Sequence, residues 1–212
     1  MDKLTINASL PEIEVNSNTD VLVKYYVKGR PSMSGLTYKH HVAFYLSGAE
    51  TGDIEFELKS YKEAIRHYDA LLNVAGNSKR DKFNAKKGKM ECYYELGILD
   101  TALIFANDII TEGGAPVYIT NKANLYLGKI PYMKGDFEAA EDFLISAANS
   151  AKDSSGAEAQ YLLASISYKQ QKYKQSLETL FELTDKFKMF DRWVLRSLLL
   201  VADNYLALEE VF

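Results

Sequence analysis

Five short stretches of the chain align: Thr51-Gly52-Asp53-Ile54-Glu55-Phe56, Lys89-Met90-Glu91-Cys92-Tyr93-Tyr94, Leu127-Gly128-Lys129-Ile130-Pro131-Tyr132, Leu163-Ala164-Ser165-Ile166-Ser167-Tyr168 and Val201-Ala202-Asp203-Asn204-Tyr205-Leu206. Their starts lie 38, 38, 36 and 38 residues apart. A period in this range, carried by helical patterns, predicts a stacked array in which each unit packs on its neighbours. It argues against a single globular core.

Composition limits what such an array can bind. The chain has 212 residues, 47% hydrophobic and 25% charged, with a net charge of −4. That balance suits a packed domain but not a general nucleic-acid binder, which needs a basic field. The single cysteine, Cys92, can form no internal disulfide and builds no metal cluster. No run approaches the roughly 18 apolar residues of a membrane span. The start, Met1-Asp2-Lys3-Leu4-Thr5, lacks the apolar segment of a signal peptide. A cytoplasmic location is expected, or a periplasmic or envelope-associated one if the chain is a mature or excised form.

Residues 1–36 follow a different period. Val21, Val23, Tyr25 and Val27 alternate with Leu22, Lys24, Tyr26 and Lys28, and Leu4, Ile6, Ala8 and Leu10 alternate likewise. Asn16-Ser17-Asn18-Thr19-Asp20 between them is a turn cluster. The segment reads as a β-hairpin or extended arm, with Gly29 to Gly35 as linker; the other reading is a leftover helix over Asp20–Lys28.

From 37 to 212 the pattern is helical, about 4.5 units of paired helices. Second helices are expected to begin near Ser60, Asp100, Asp136 and Lys172. Ser60 and Glu63 have capping-box spacing, Asp136 can cap the helix that follows it, and Gly97 and Gly135 sit in turns. A small column runs through the first helices: Gly52, Gly128, Ala164 and Ala202, with Met90 as the exception. The second helices carry a bulky column, Tyr61, Leu99, Phe137, Tyr173 and Val211. Further on come Tyr68, Ala106, Leu144 and Leu180. Residues three and four apart share a helix face, so these columns form an apolar stripe that only stacking can bury.

Gly128 with Tyr132-Met133-Lys134-Gly135-Asp136-Phe137-Glu138-Ala139-Ala140 resembles the tetratricopeptide repeat. So do Tyr93-Tyr94-Glu95-Leu96-Gly97 with Ala102, and Tyr168 with Tyr173-Lys174-Gln175-Ser176-Leu177. The resemblance covers about 38–212. Each unit is longer than the family's repeat, and the usual bulky residue early in the first helix is replaced by Lys86 and Asn124. The last units also look like repeats in long bacterial scaffold proteins. The resemblance implies an all-α, right-handed superhelical array of antiparallel helix pairs, a tetratricopeptide-like solenoid. It also implies a concave groove lined by first helices. Carried over by register, that groove takes Phe56, Tyr94, Tyr132 and Tyr168, flanked by Glu91, Lys129 and Asp203, then by Lys87 and Tyr161. Aromatic rings among polar groups suit peptide recognition; the other reading is that these tyrosines pack between helices.

The remaining signals carry less chemistry. Val201–Leu208 reads as a first helix without its partner before Phe212, so Trp193, Leu195 and Leu199 form a candidate end-docking surface. That face would cap the stack or dock on another chain, or the sequence would be a piece of a longer array. Pro131 should kink its helix beside Tyr132. Lys79, Arg80, Lys82, Lys86, Lys87 and Lys89 form a basic cluster suited to an acidic peptide or to a solvated face. His40 and His41 are adjacent and cannot readily grip one metal. Gly113-Gly114 lacks the lysine and hydroxyl of a phosphate loop, and Cys92 is expected to be packed and inert. No catalytic residue, metal or cofactor is expected. The sequence thus points to a non-enzymatic scaffold or adaptor that holds a protein or peptide. The alternative is a structural subunit that forms a homo-oligomer or docks in a larger complex. Neither nucleic-acid binding nor membrane insertion is expected.

Overall fold

The computed structural model describes residues 12–15, 21–28, 39–46 and 48–209, the first three segments as backbone alone. The chain divides into two compact units, residues 1–88 and 89–212, and each is described by itself.

In the first unit, β1 (Glu12–Val15), β2 (Val21–Lys28) and β3 (Lys39–Leu46) form an antiparallel sheet in the order β1-β2-β3. The β2–β3 ladder runs from Val21 opposite Leu46 to Lys28 opposite Lys39. The alternating stretch Leu4–Leu10 and the linker 29–35 lie outside the described residues. The helical pattern expected from Thr37 does not start there. His40 to Leu46 is rich in β-branched and aromatic residues, which favour a paired strand, and helices begin at α1 (Gly48–Glu57). α2 (Tyr61–Val74) follows and packs on α1, and α3 (Lys79–Glu95) contains the division between the units.

The core of this unit is set by one side chain. Tyr68 of α2 is 1% exposed, and its hydroxyl donates to the Asp53 carboxylate at 2.6 Å. A Cβ at Gly52 of α1 would lie 2.5 Å from the Tyr68 ring, and one at Gly88 of α3 would overlap it more deeply. The ring therefore fits only because both neighbouring helices present glycine.

From Gly48 onward the described chain is all helical, with each helix of the second unit packing on the next. That unit holds α4 (Leu99–Glu112), α5 (Val117–Lys134), α6 (Phe137–Ser150), α7 (Ser154–Lys169), α8 (Tyr173–Lys186) and α9 (Asp191–Ala207). Consecutive helices from α4 to α9 are in contact, and α5 also packs on α7, and α7 on α9. The small-against-bulky rule recurs. A Cβ at Gly128 would lie 2.5 Å from Leu144 Cγ and 3.0 Å from the Ala140 carbonyl. Ala164 and Leu180, one unit on, share a core cluster with Leu177, Leu200 and Val201. By register Met90, the exception in the small column, corresponds to Ala106 in the column of Tyr68 and Leu144, so this unit has a large residue where the others have a small one and a small one where they have a large one. Both are 0% exposed.

The turns repeat as faithfully as the helices. Lys59, Gly97, Gly135, Gln171 and Glu209 all have left-handed φ, between 59° and 82°. In four of them the backbone closes the preceding helix with the same pair of bonds, such as Gly135 N–H to Tyr132 O and Asp136 N–H to Pro131 O. This is the Schellman arrangement, which satisfies the last carbonyls of a helix. Asp136 then caps α6, accepting from the Ala139 amide at 3.1 Å. Ser60 makes no such bond. Asp136 caps from a similar backbone at φ −85°, ψ 83° because its carboxylate is one atom longer than the Ser60 hydroxyl, which sits at φ −82°, ψ 54°. α5 runs unbroken through Pro131, which sits in its last turn.

Left-handed φ costs a side-chain-bearing residue about 1 kcal/mol relative to glycine. Gln171→Gly should accordingly raise stability by about 0.5–1 kcal/mol in urea unfolding, and Gly135→Gln should lower it by a similar amount. No change in either would disprove the strain. Gly128→Ala should destabilise by about 1–3 kcal/mol through overpacking. In a Leu144→Ala background the same change should cost much less, because the clash is gone; strict additivity would count against the packing rule.

Candidate functional site

The first helices of the second unit carry most of the residues that the sequence singles out. Because α5 packs on α7, and α7 on α9, their side chains meet directly. Lys122 Nζ lies 3.0 Å from the Glu91 carboxylate. Lys129 Nζ lies 2.5 Å from the Glu158 carboxylate and 4.8 Å from the centre of the Tyr94 ring. Tyr94 packs edge-on against Tyr126 with centroids 4.8 Å apart, and its hydroxyl reaches Met133 Sδ at 3.4 Å. Tyr132 and Ser165 hydroxyls are 2.8 Å apart. Tyr161 packs on Trp193 at 5.6 Å, and the Trp193 indole N–H donates to Ser154 Oγ at 3.0 Å.

Electrostatics follow from this crowding. Burial pushes the Tyr126 hydroxyl pKa well above its ordinary value, and the carboxylates of Glu91, Glu158 and Glu95 push it further. Burial disfavours the Lys129 ammonium, but Glu158 and Tyr94 outweigh it, so the net shift is upward. Tyr161 is also raised, first by burial and then by Tyr132. Two tyrosines and a lysine thus keep their protons, and the face holds a cation among rings.

The proposed groove residues fare differently. Tyr94, Tyr132, Tyr161, Tyr168, Glu91 and Lys129 are half-buried on α3, α5 and α7, and Asp203 is exposed on α9. Phe56 and Lys87 belong to the first unit; both are half-buried there. The aromatic column also has a structural duty. Phe56 packs on Tyr61, Tyr132 on Phe137 and Tyr168 on Tyr173, with centroids 5.4–5.9 Å apart. Each ring folds over the left-handed turn onto the start of the next helix. Trp193, expected on a docking surface, is instead 5% exposed in a cluster with Ala157, Leu183 and Phe187. Leu195 and Leu199 are exposed, at 62% and 70%. Cys92 is buried.

A second concavity was not anticipated from the sequence. An open groove of about 450 Å3 lies between α6 and α8, with α7 as its floor. Glu141, Ile145, Leu163, Gln175 and Thr179 line it. At its floor Gln160 is 6% exposed, and its side-chain amide donates to the Thr179 carbonyl and the Glu182 carboxylate, each at 3.4 Å. Lys186 Nζ spans the groove to the Ala148 carbonyl at 2.7 Å. A signal was present: Gln160 continues the column of Lys86 and Asn124, where a bulky apolar residue is expected. Its consequence depends on packing that a pattern does not show.

Among the described residues, no group of three or more His, Cys, Asp and Glu side chains converges as a metal would require. No described helix is long and apolar enough to cross a membrane. Compared with protein-family models and with curated proteins, the chain gives no match.

The raised pKa of Tyr126 has a testable consequence. Unfolded, the hydroxyl ionises around pH 10.0; folded, it keeps its proton. Its contribution to stability is therefore complete below about pH 10 and is lost as pH rises, by at most about 1.4 kcal/mol per pH unit. Lys129 acts with the same sign above 10.5. Urea midpoints measured from about pH 8 to 11.5 should fall above pH 10. Tyr126→Phe should flatten that fall, and an unchanged slope would refute the assignment.

Proposed function

We propose that the chain is a non-enzymatic tetratricopeptide-like scaffold that holds a peptide or partner protein along its first helices. On this reading the helical hairpins wind into a right-handed superhelix whose inner face carries the recognition residues. The N-terminal arm, which contains β1 and β2, would add a second contact. The observation that carries the proposal is the cross-helix ladder on α3, α5 and α7. Tyr94, Tyr132 and Tyr161 are held at fixed positions by Lys129, Ser165 and Trp193. Each ring keeps part of its surface open to solvent. Rings already ordered by their neighbours lose little entropy on binding, which favours recognition by a preformed surface.

Met133 is 56% exposed beside the Tyr94 hydroxyl. Met133→Glu should leave the fold intact while placing a charge on the recognition face. In a capture experiment with the immobilised chain, Met133→Glu and the pair Tyr94→Ala with Tyr132→Ala should each reduce partner recovery about tenfold. Glu141→Lys, in the α6–α8 groove, should not. Recovery that follows Glu141 and ignores Met133 would move the site to the other groove and defeat the proposal.

A further inference from the structure

The floor of the α6–α8 groove holds hydrogen-bonding atoms that the protein itself does not satisfy. Gln160, Leu163 and Ser167 line it and follow steps of three and four, so they share one face of α7. Tyr161, Ser165 and Tyr168 of the tyrosine ladder stand roughly 130° away round the same helix, at about 100° per residue. Ser167 is 7% exposed, yet among the described residues its hydroxyl makes no hydrogen bond. The Gln160 amide spends its N–H groups on Thr179 and Glu182, which leaves its carbonyl oxygen without a donor among the described residues. Buried polar atoms are nearly always paired. Neither of these two is sealed from solvent, because among the described residues Asn204 Oδ1 alone is both enclosed and unpaired. Both therefore open into the groove, where a ligand's donors can reach them.

The walls set the charge of that ligand. Glu141 of α6, and Glu182 and Asp185 of α8, line the groove, and among the described residues none of the three forms an ion pair. Lys186 is the one cation of the lining and is engaged elsewhere. Its Nζ donates to the Ala148 carbonyl at 2.7 Å and lies 5.0 Å from the centre of the Phe187 ring. A short turn joins α6 to α7, so Glu141 near the start of α6 comes level with Ser167 near the end of α7. Glu182 stands at Gln160. The groove thus has two acceptor stations, Glu141 with Ser167 and Glu182 with Gln160. Seven residues of helix put about 10 Å between them. Leu163 lies between the two on the floor, and Ile145 on the α6 wall.

Carboxylates spread in this way do not converge on one ion, and they suit a ligand with two separated cations. A guanidinium is all donor and no acceptor, and its planar fork can take a carboxylate and a neighbouring neutral oxygen together. In a polyproline II segment, residues three apart point the same way and stand about 9 Å apart. That is the spacing of the stations. We propose that the α6–α8 groove binds an extended segment of a partner protein through two arginine side chains three residues apart. One arginine lies at Glu141 and Ser167, the other at Glu182 and Gln160, and Asp185 adds to the field at the second. The small residues between them pass over Leu163. This surface faces away from the tyrosine ladder, so the segment is recognised without it.

Fluorescence anisotropy of the peptide Gly-Arg-Ala-Pro-Arg-Gly, labelled at its amino end and amidated at the other to remove the terminal charges, tests this. The proline holds the residue before it in the extended region. Titration with the full chain should give saturable binding in the micromolar range that weakens as salt rises. Glu141→Gln and Glu182→Gln should each weaken it about tenfold. Helicity should stay unchanged in both, because Glu182 is exposed and Glu141 half-buried. Removing the alanine, which shortens the spacing of the arginines, should also cost about tenfold. Glu178→Gln, at an exposed position of α8 outside the groove, should leave the affinity as it is. Wild-type protein that gives no saturable binding would overturn the proposal. So would a Glu178→Gln loss equal to that of Glu182→Gln, which means diffuse attraction. Spermidine displacing the peptide at an equal concentration would assign the groove to a polyamine and overturn it as well.

Discussion

The distance between neighbouring helices is set at one kind of contact, a bulky residue of one helix seated on a small residue of the next. Tyr68 between Gly52 and Gly88, and Leu144 on Gly128, leave no room for a single added carbon. Close approach of backbones maximises dispersion and excludes water from both stripes. It also removes the freedom to slide, because a ring lodged over a glycine fits only one register. In the register of the repeat Met90 and Ala106 reverse the two sizes, as a constraint on the pair rather than on either residue would allow.

The remaining features of the second unit follow from that spacing. First helices held close enough to touch bring Glu91 to Lys122, Lys129 to Glu158 and Tyr132 to Ser165. An ion pair such as Lys129–Glu158, with little exposure on either side, offsets part of the cost of desolvation through its neighbours, here the ring of Tyr94 as well as the carboxylate. The same spacing makes the turns short. A left-handed residue closes each of the first helices α1, α3, α5 and α7, and the rings of Phe56, Tyr132 and Tyr168, three residues earlier, fold over it. The aromatic column thus serves both the hairpin and the surface.

Much of this was legible in the sequence, and the failures have physical causes. Gly97 and Gly135 could be placed in turns because glycine takes left-handed φ without strain. Lys59 and Gln171 occupy the same conformation, but nothing in their chemistry announces it; only the register does. Trp193 and Leu195 both belong to the apolar last helix, and the pattern alone puts them on one surface. Two residues apart on a helix, they point nearly opposite ways, so one enters the core and the other faces water. Lys39–Leu46 falls at the start of the stretch whose pattern is helical, but its consecutive apolar residues Val42 to Leu46 do not separate a short helix from a strand. The α6–α8 groove was invisible because it is a gap between three helices, and a pattern along one chain records residues but not gaps.

Two departures from the repeat leave groups without their usual duty. Where the repeat keeps its glycine, its bulky partner and its left-handed turn, the residues are occupied in holding helices together. Where it departs, polar or apolar groups are left over. Gln160 replaces an apolar side chain and, instead of filling space, satisfies a carbonyl and a carboxylate at the floor of a groove. Leu198, in the same column on α9, is 52% exposed, near the exposed Leu195 and Leu199. Burial of apolar area is the main drive for stacking. A helix that has satisfied one face against α7 and α8 and still shows a second regular leucine face retains that drive.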